Sequence, residues 1–425
     1  MAHGARLLPL CTLLLLAACA APPSADRAAG PVASHAAVAP HPAVTALSSE
    51  LWTHVIPFWL DHAYDPAVPG YRLAEPGDPD RRLAVSQARL VWVFSTAAVH
   101  GPPHVRDRSR AAANHGFRFL VDHARDPAHG GYPWLTEPNG TPINPAIDLY
   151  TLDYVLFGLA AYIEATGDPA ARDEALRLLA LIETHLADDD GTLYAEFAEP
   201  DWTPIRDAAP TRTPPAIGAR SANAHLHLLE AALELHRVID DPLVERTLRR
   251  SLDATATHFY PANPAHAAEW IDAHHQRVDG DEGPAISLGH SVEAAWLIVE
   301  AQRALGLPRD MQRLRDYIDF ALATGGPPTA YLADPRGEVI APAAYWWVQN
   351  ELIAAMSVAL TDAQEPELAE AMHRWCAWYA DRQLDPTNRV PYAALAADGS
   401  IVERRLRGEW KAGYHDVRMR LMIAR

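Results

Sequence analysis

The chain has 425 residues, of which 49% are hydrophobic, and its formal net charge at pH 7 is −18. This length can bury a large core, while the negative charge argues against nucleic acid as a partner and favours a neutral or cationic small molecule. Cysteine occurs only at positions 11, 19 and 376, so we expect neither a disulfide framework nor a cysteine-rich zinc site.

The N-terminus has the pattern of a bacterial lipoprotein signal. An apolar stretch runs from Leu7 to Leu16, and Leu16-Ala17-Ala18-Cys19 resembles a lipoprotein box. Residues 1–19 are therefore predicted to be a signal peptide that is cleaved before Cys19, whose thiol is then lipidated. The alternatives are an ordinary cleaved signal and a membrane anchor.

Residues 20–42 consist mainly of Ala, Pro, Ser and Gly, which predicts a flexible tether that belongs to no fold. Together with Cys19, this tether predicts an exported protein attached to the periplasmic side of a bacterial membrane. Ala20 after the lipidated cysteine favours the outer membrane.

The remainder, 43–425, is predicted to be one all-α catalytic domain. Ala, Leu, Glu and Arg dominate its periodic segments, and period-two alternation is scarce. Four helix starts carry proline at the first helical position, in Asp168-Pro169, Asp241-Pro242, Leu307-Pro308 and Glu365-Pro366. The predicted helices are 43–62, 83–99, 104–124, 146–166, 169–187, 220–238, 242–259, 289–305, 308–324, 341–360, 366–383 and 413–424.

An unusual polar or aromatic residue recurs along every second predicted helix. Most intervals are about 60 residues, which fits one helical hairpin and a long loop, and the longer interval contains the Pro-rich segment 190–218. Six hairpins, with helix 43–62 completing the last pair, predict a closed α/α barrel around a central pocket. An open α-solenoid is the alternative. The recurring residues are Arg89, Tyr150, His227, His290, Glu351 and His415.

Two of these helices repeat the pattern His-x-x-Glu-Ala. His290 and Glu293 share a helix face at i,i+3, so the carboxylate can orient the imidazole and raise its basicity. His227 and Glu230 repeat the spacing. An ordinary histidine titrates near pH ~6.5, which suits proton transfer at neutral pH. The simpler reading of one such pair is helix capping or packing.

A second group of residues suits a sugar. Trp347 and Glu351 share a face at i,i+4, so that C–H groups could stack on the ring and hydroxyls could bond the carboxylate. The dense C-terminal stretch 408–418 would bring His415 into the pocket. Two histidines from different helices predict paired proton transfer next to a carbonyl. Hydrolysis by two carboxylates stays open, with these candidates: Asp148, Glu293, Glu351 and Glu409.

Taken in order from about residue 45, these motifs resemble the N-acylglucosamine 2-epimerase superfamily. The Ser-Leu-Gly-His-Ser-Val-Glu form at 287–293 is most similar to its cellobiose 2-epimerase branch. The motifs are Gln87-Ala88-Arg89-x-x-Trp92-x-Phe94, Asn223-x-His225-x-His227-x-x-Glu230-Ala231, Gly289-His290-x-x-Glu293-Ala294-x-Trp296, Trp346-Trp347-x-Gln349-x-Glu351 and Glu409-Trp410-Lys411-x-x-Tyr414-His415-x-x-Arg418.

The resemblance implies an (α/α)6 barrel and a reaction without metal or cofactor at the reducing end of a sugar. It implies that His415 is the general base, that His290 is its acid/base partner and that Glu293 tunes His290. His227 and Arg89 would stabilise the enediolate oxygens. The residues expected to bind the sugar are Asn223, Trp296, Trp347, Glu351, Trp410 and Tyr150.

The prediction is thus a sugar 2-epimerase that removes the C2 proton through a cis-enediol, acting on an aldose or a β-1,4-linked disaccharide. An aldose–ketose isomerase is the alternative within the same chemistry. An α/α-barrel glycoside hydrolase and a carbohydrate-binding surface lipoprotein are the other two. The expected partners are the sugar and the membrane, and we expect a monomer or a weak dimer.

Overall fold

Six inner helices form a closed ring in the computed structural model, which describes residues 41–188, 191–211, 216–280, 283–362 and 365–424. Each inner helix packs against the next along the chain, and the last packs against the first. This closure confirms the predicted barrel, and the open solenoid is wrong. The inner helices are α3 (Ala84–His100), α5 (Leu149–Thr166), α7 (Ala222–Val238), α9 (Leu288–Ala304), α11 (Trp346–Asp362) and α13 (Tyr414–Met422).

An outer ring of helices surrounds the inner one. The first helical stretch completes the outer ring, because α1 contacts α12 and α2 contacts α4. A closed ring of six hairpins requires this position. The outer helices are α1 (Pro42–Glu50) and α2 (Ile56–His62), joined by the π-helical turn Leu51–Val55, then α4 (Pro103–Arg118), α6 (Pro169–His185), α8 (Pro242–Ala254), α10 (Met311–Ala323) and α12 (Pro366–Trp378). Further π-helical turns continue α4, α8 and α12, at Phe119–Ala124, Thr255–Phe259 and Tyr379–Gln383, and a short 3-10 helix spans Pro264–His266.

The two rings differ in how their side chains are buried. The inner helix α5 buries almost every residue from Leu149 to Ile163, as expected of a helix that is apolar on all sides. The outer helix α8 buries one stripe, with Val244, Leu248 and Leu252 four residues apart. Gly158 allows α5 to approach α3, because a Cβ there would lie 2.8 Å from the carbonyl oxygen of Ala88.

Proline begins three of the four outer helices for which it was predicted, α6, α8 and α12, and an aspartate caps the first two. The Asp168 side chain accepts from the Ala170 amide at 2.9 Å, and the helix begins at the proline between them. The prediction for α10 is wrong: the helix begins at Met311 instead of Pro308. Its N-cap is Asp310, which accepts from the Arg313 amide at 3.1 Å and therefore supplies the cap that Leu307 could not.

Short strands precede five of the inner helices, and these were not predicted. The two or so residues before each helix pair antiparallel with the loop that follows the next outer helix, and a third strand extends three of the pairs. The pairs are β1 (Arg82–Leu83) with β2 (Leu135–Thr136), β4 (Ile147–Asp148) with β5 (Phe197–Ala198), β6 (Arg220–Ser221) with β7 (Trp270–Ile271), β8 (Ile286–Ser287) with β9 (Leu332–Ala333), and β11 (Ala344–Tyr345) with β12 (Ala394–Leu395). The third strands are β3 (Pro142–Asn144), β10 (Val339–Ala341) and β13 (Ile401–Glu403).

These strands correct several predicted helix starts. The helices predicted from 146, 220 and 341 begin at Leu149, Ala222 and Trp346, because the residues just before them are extended. The predicted signal peptide 1–19 lies outside the described residues. Of the predicted tether 20–42, only its end is described, and there His41 caps α1 through the Ala43 amide. None of the described helices is long and apolar enough to cross a membrane.

Candidate active site

The first two turns of the inner helices converge at one end of the barrel. Arg89 of α3 donates to the hydroxyls of Tyr150 and Tyr154 on α5, both at 2.8 Å. The Tyr154 hydroxyl in turn lies 3.2 Å from Nδ1 of His227 on α7. Three consecutive inner helices thus place their predicted site residues side by side.

The other three inner helices complete the ring of site residues. The ring of Trp347 on α11 lies between two imidazoles, with centroids 4.8 Å from His290 on α9 and 5.8 Å from His415 on α13. The structure therefore brings both predicted catalytic histidines to one aromatic side chain, although they are 125 residues apart in sequence (415 − 290).

Arg418 is the buried cation that holds the site together. Its guanidinium bonds carboxylates from three inner helices: Glu230 on α7, Glu293 on α9 and Glu351 on α11, the last at 2.7 Å. Tyr414, one turn earlier on α13, donates to Glu230 at 2.6 Å. Buried charges require such compensation, because removing one partner leaves the others desolvated and unpaired.

The same carboxylates are the groups that could hold a metal ion. Ligand atoms of His227, Glu230 and Glu293 converge, as do those of Glu293, Glu351 and His415. The Arg418 guanidinium already bonds all three carboxylates, so a cation would have to displace it. Burial raises the pKa of Glu230 and of Glu351 against the opposing charge of Arg418, which shows how strongly desolvation acts in this layer.

His415 is built to be neutral. Its Nδ1 lies 2.6 Å from Oε1 of Glu351, and the residue is only 8% exposed. Burial holds its pKa well below the usual range, with the attraction of Glu293 too weak to offset it and the charge of Arg418 adding to the shift. With Nδ1–H donated to Glu351, the other ring nitrogen carries the lone pair that a general base needs.

His290 has the opposite character. Burial alone would lower its pKa, but the hydrogen bond and charge of Glu269, with the charges of Glu293 and Glu351, raise it above the ordinary value. The predicted hydrogen-bonded pairing of His290 with Glu293 is wrong. His290 Nδ1 lies 3.1 Å from Oε2 of Glu269, whereas Glu293 turns towards Arg418 and Tyr414.

His227 and its neighbours form a second polar part of the site. Its Nδ1 lies 2.9 Å from Glu230, and burial holds its pKa well below the usual value. Arg89 also donates to the backbone oxygen of Trp410 at 3.3 Å, which joins the first inner helix to the C-terminal loop. One helical turn before His227, the Oδ1 atom of Asn223 is buried with no hydrogen-bond partner within the described ranges.

Aromatic rings form the entrance to the site. Trp410 is 43% exposed, an unusual exposure for so large an apolar side chain, and its ring centroid lies 6.2 Å from Trp134 and 6.4 Å from Tyr150. Trp347 forms the inner platform. It packs on Gly289, where a Cβ would lie 2.3 Å from Cζ3 of the indole.

Two residues predicted to contact sugar also bond within the buried charge network. Trp296 is buried and donates to Oε2 of Glu351 at 3.2 Å, and its ring lies 4.8 Å from the Arg418 guanidinium. Glu351 is fully buried between His415 and Arg418. Glu351 thus accepts from His415, Arg418 and Trp296, a position that suits orienting the base, and its contact with sugar stays a prediction.

The four acids considered for hydrolysis do not meet as a catalytic pair. Glu409 bonds Arg81 at 2.5 and 3.0 Å near the surface. Asp148 caps α5 through the Tyr150 amide at 3.0 Å. The other two, Glu293 and Glu351, are both bonded to Arg418. A glycosidase needs one free acid and one free base on either side of the glycosidic bond. The four candidates are bonded elsewhere, so they do not support the hydrolase alternative.

Sequence reasoning missed Glu269, and it did not single out Tyr154 or the role of Arg418. Arg418 and Glu230 stood in the quoted motifs, and the repeated His-x-x-Glu-Ala was a usable signal for Glu230. Glu269 has no comparable signal. It precedes a two-residue strand in a long loop, and only the fold brings it to His290.

A cavity of about 980 Å³ lies at the opposite end of the barrel. It is lined by the C-terminal halves of the same inner helices, including Thr96, Glu164 and Arg303. Trp296, Glu230 and Arg418 form the layer between this cavity and the histidines. The groups that can transfer protons lie at the N-terminal ends of the inner helices, so we place the chemistry there.

The chain is similar in sequence and in fold to proteins of one known family. The profile of the N-acylglucosamine 2-epimerase (GlcNAc 2-epimerase) family matches residues 72–418. A cellobiose 2-epimerase of Bacteroides fragilis is 27% identical over 394 residues, 88% of this chain and 96% of that protein. The solved cellobiose 2-epimerase of Spirochaeta thermophila superimposes with a TM-score of 0.79 at 28% identity, covering 89% of this chain and 95% of the other. A D-mannose isomerase of Thermobifida fusca is 26% identical over 292 residues, 64% of this chain and 66% of that protein.

Proposed function

Because this chain belongs to the N-acylglucosamine 2-epimerase family, we propose that it is a sugar 2-epimerase that inverts C2 at the reducing end of an aldose or of a β-1,4-linked disaccharide of the cellobiose type. The observation that carries the proposal is the contrast between two histidines beside one indole. Burial lowers the pKa of His415, whereas Glu269 and nearby carboxylates raise the pKa of His290. Two titratable groups whose pKa values are shifted in opposite directions in this way identify a base and an acid.

The proposed reaction starts from the open-chain aldehyde. His415 takes the C2 proton, the C2–H electron pair forms the C1=C2 double bond, and the carbonyl oxygen becomes an enediolate oxygen. His290 then delivers a proton to the opposite face of C2, which inverts that centre. After one turnover His415 carries an extra proton and His290 has lost one. The free enzyme must therefore restore both protonation states through solvent before the next turnover.

The enediolate needs donors placed before the reaction begins. Arg89 is held by Tyr150 and Tyr154, so its guanidinium is fixed without a sugar present. His227 is kept neutral by burial and is fixed by Glu230. Such preorganised groups stabilise developing negative charge without reorganisation, and the loss of one typically costs about 100- to 1,000-fold in rate.

The aromatic residues favour a disaccharide over a free hexose. Trp347 lies beside both histidines, where the reacting sugar must be, while Trp410 lies further out and presents an exposed face near Trp134. A second sugar ring at this outer platform would bury apolar area that a monosaccharide cannot reach.

An aldose–ketose isomerase is the second candidate, supported by the mannose isomerase relative. It would use the same enediolate. Returning the proton to C1 in place of C2, with transfer of the O2–H proton to O1, gives a ketose, so the two reactions differ in which carbon is protonated and in this O2-to-O1 proton transfer.

For the N-terminus we propose a lipoprotein, on the strength of the box at residues 16–19 and the tether after it. The lipid on Cys19 would attach the enzyme to the periplasmic side of a membrane, where a tethered barrel could meet oligosaccharides.

The test is proton NMR of the purified full-length protein with cellobiose, and separately with mannose, in D2O. We expect deuterium at C2 of a new epimer, faster with cellobiose. A ketose product would reassign the enzyme as an isomerase, free glucose would indicate a hydrolase, and no reaction with either sugar would contradict the proposed substrate class. His415→Ala and His290→Ala should each lower the rate by about 100- to 10,000-fold, the usual contribution of a general base or acid, with the helical circular dichroism retained.

A further inference from the structure

The loop residue that precedes the second strand of each short pair occupies a repeated position. Its backbone oxygen accepts the first amide of the inner helix of its own hairpin: Glu196 accepts from Leu149 at 3.0 Å, and Glu269 accepts from Ala222 at 2.9 Å. The equivalent residues in the other pairs are Trp134, Tyr331 and Ala393, which accept from Ala84, Leu288 and Trp346. The fold therefore delivers one loop residue per hairpin to the ends of the inner helices where the site lies.

Glu196 and Glu269 share a second contact. Each carboxylate also accepts the amide of the serine that precedes the next inner helix, Ser221 for Glu196 and Ser287 for Glu269, both at 3.1 Å. Each glutamate thus ties the start of one inner helix to the start of the following one.

The two glutamates differ at their remaining oxygen. In Glu196 it accepts from the Ser221 hydroxyl at 2.6 Å, which is a structural bond. In Glu269 it faces Nδ1 of His290 at 3.1 Å. The same position in the repeat therefore serves packing in one hairpin and meets a catalytic side chain in the next.

We propose that Glu269 is the positioning residue of His290: its carboxylate holds Nδ1–H, so that Nε2 points to the sugar and the imidazole stays charged as the proton donor. This inference rests on the proposed function for its catalytic consequence. Ser287 N–H and His290 Nδ1–H are both donors, and a carboxylate has an acceptor for each, whereas an amide has only one acceptor oxygen. Gln at this position either loses the bond to His290 or donates to an unprotonated Nδ1, and neither arrangement favours the charged imidazole.

The other charged or titratable groups around His290 do not replace this contact. Glu293 on its own helix and Glu351 on α11 act on it through their charge, but both bond Arg418 on α13. His227 on α7 and His415 on α13 complete its surroundings, and burial keeps both neutral. Among the described residues, Glu269 is the carboxylate hydrogen-bonded to the imidazole.

The experiment compares Glu269→Gln with its structural counterpart Glu196→Gln in the full-length protein. We expect Glu269→Gln to lower kcat by about 10- to 100-fold with KM little changed, the range seen when a carboxylate that orients a metal-bound histidine is removed. The alkaline limb of the kcat profile should move to lower pH, because His290 loses the carboxylate that favours its charged form. Glu269→Asp keeps two acceptors and should restore part of kcat and the position of that limb.

In Glu196→Gln the Ser221 hydroxyl can turn and accept from the new amide, so this variant removes the charge at the equivalent position and should leave the alkaline limb in place. A loss of stability in Glu269→Gln with an unmoved limb would overturn the inference, since that result describes a purely structural residue. So would a shift of the limb by the same amount in both variants.

A readout without turnover separates this inference from the proposed function. The His290 Cε1–H signal, assigned by its loss in His290→Asn, is titrated by NMR in protein labelled at histidine. Glu269→Gln should lower the apparent pKa of His290, and Glu196→Gln should not. An unchanged titration overturns the positioning role. A changed titration in a protein that gives no C2 exchange leaves that role standing and rejects only the epimerase.

Discussion

The pH dependence of turnover should follow from two side chains whose surroundings differ. Burial pushes the pKa of His415 below its usual value, and the carboxylates around His290 push its pKa above. The base acts when deprotonated, so activity falls as pH drops through the pKa of His415. The acid acts when protonated, so activity falls as pH rises through the pKa of His290. We expect a bell-shaped kcat/KM profile with one limb on each side of pH ~6.5. A profile still rising above pH ~8 would contradict these assignments.

Arg418 should contribute more to stability than its single charge suggests. Arg418→Met leaves Glu230, Glu293 and Glu351 buried without their cation, which typically costs about 3–5 kcal/mol of unfolding free energy. Folding would then raise the pKa values of Glu230 and Glu351 further, so the folded state binds extra protons. The loss should therefore grow between pH ~5 and pH ~8.

Urea unfolding at several pH values measures this effect, and Arg303→Met is the matched control. Arg303 pairs with Glu300 at the exposed end of α9, where loss of an ion pair changes stability by about 0.5 kcal/mol or less. Equal losses in the two variants would show that the buried carboxylates find other compensation.

Helices were the part of the fold that the sequence predicted well, and the reason is periodicity. Outer helices such as α6 combine an Asp cap, Pro at the first position and an apolar stripe, so their starts were accurate. The two-residue strands gave no signal, because period-two alternation needs a longer run. Where such a strand precedes an inner helix, as at Ala344–Tyr345, the predicted helix began too early.

The site could be predicted as far as its residues lie in helices. Each of the six recurring residues reached the same end of the barrel, because each stands near the start of its inner helix. What failed was pairing between elements. Helical spacing suggested Glu293 as the partner of His290, but the partner is Glu269, which arrives from a loop. A long-range contact of this kind depends on strand register, which a two-residue strand does not encode.

Close packing of α9 against α11 leads to a prediction about sugar affinity. Trp347 covers Gly289, and an added methyl group would lie 2.3 Å from its ring, so Gly289→Ala must displace the indole. Alanine is otherwise the better helix residue by about 1 kcal/mol, so stability need not fall. We expect KM to rise about tenfold, roughly the 1.4 kcal/mol of a lost stacking contact.

Gly167→Ala is the control for this substitution. Gly167 ends α5 with a φ of 67°, and a Cβ there would meet nothing within 4 Å. Its replacement should cost stability through backbone strain and leave KM unchanged. Steady-state kinetics and tryptophan fluorescence during sugar titration measure both variants. An unchanged KM and fluorescence response in Gly289→Ala would mean that Trp347 does not bind sugar.

The proposed lipoprotein signal leads to a prediction about where the protein is found in the cell. The helix at Pro42 packs against the outer helix α12, and the six recurring site residues, from Arg89 to His415, all follow it in the chain. Because Cys19→Ala changes none of the proposed site residues, kcat should stay within about twofold of the wild-type value. The same substitution should abolish labelling by radioactive palmitate and move the protein from the membrane fraction to the soluble fraction of the cells. Retention of Cys19→Ala in the membrane would instead indicate that residues 7–16 remain attached as an uncleaved anchor, because a single lipid could no longer account for it.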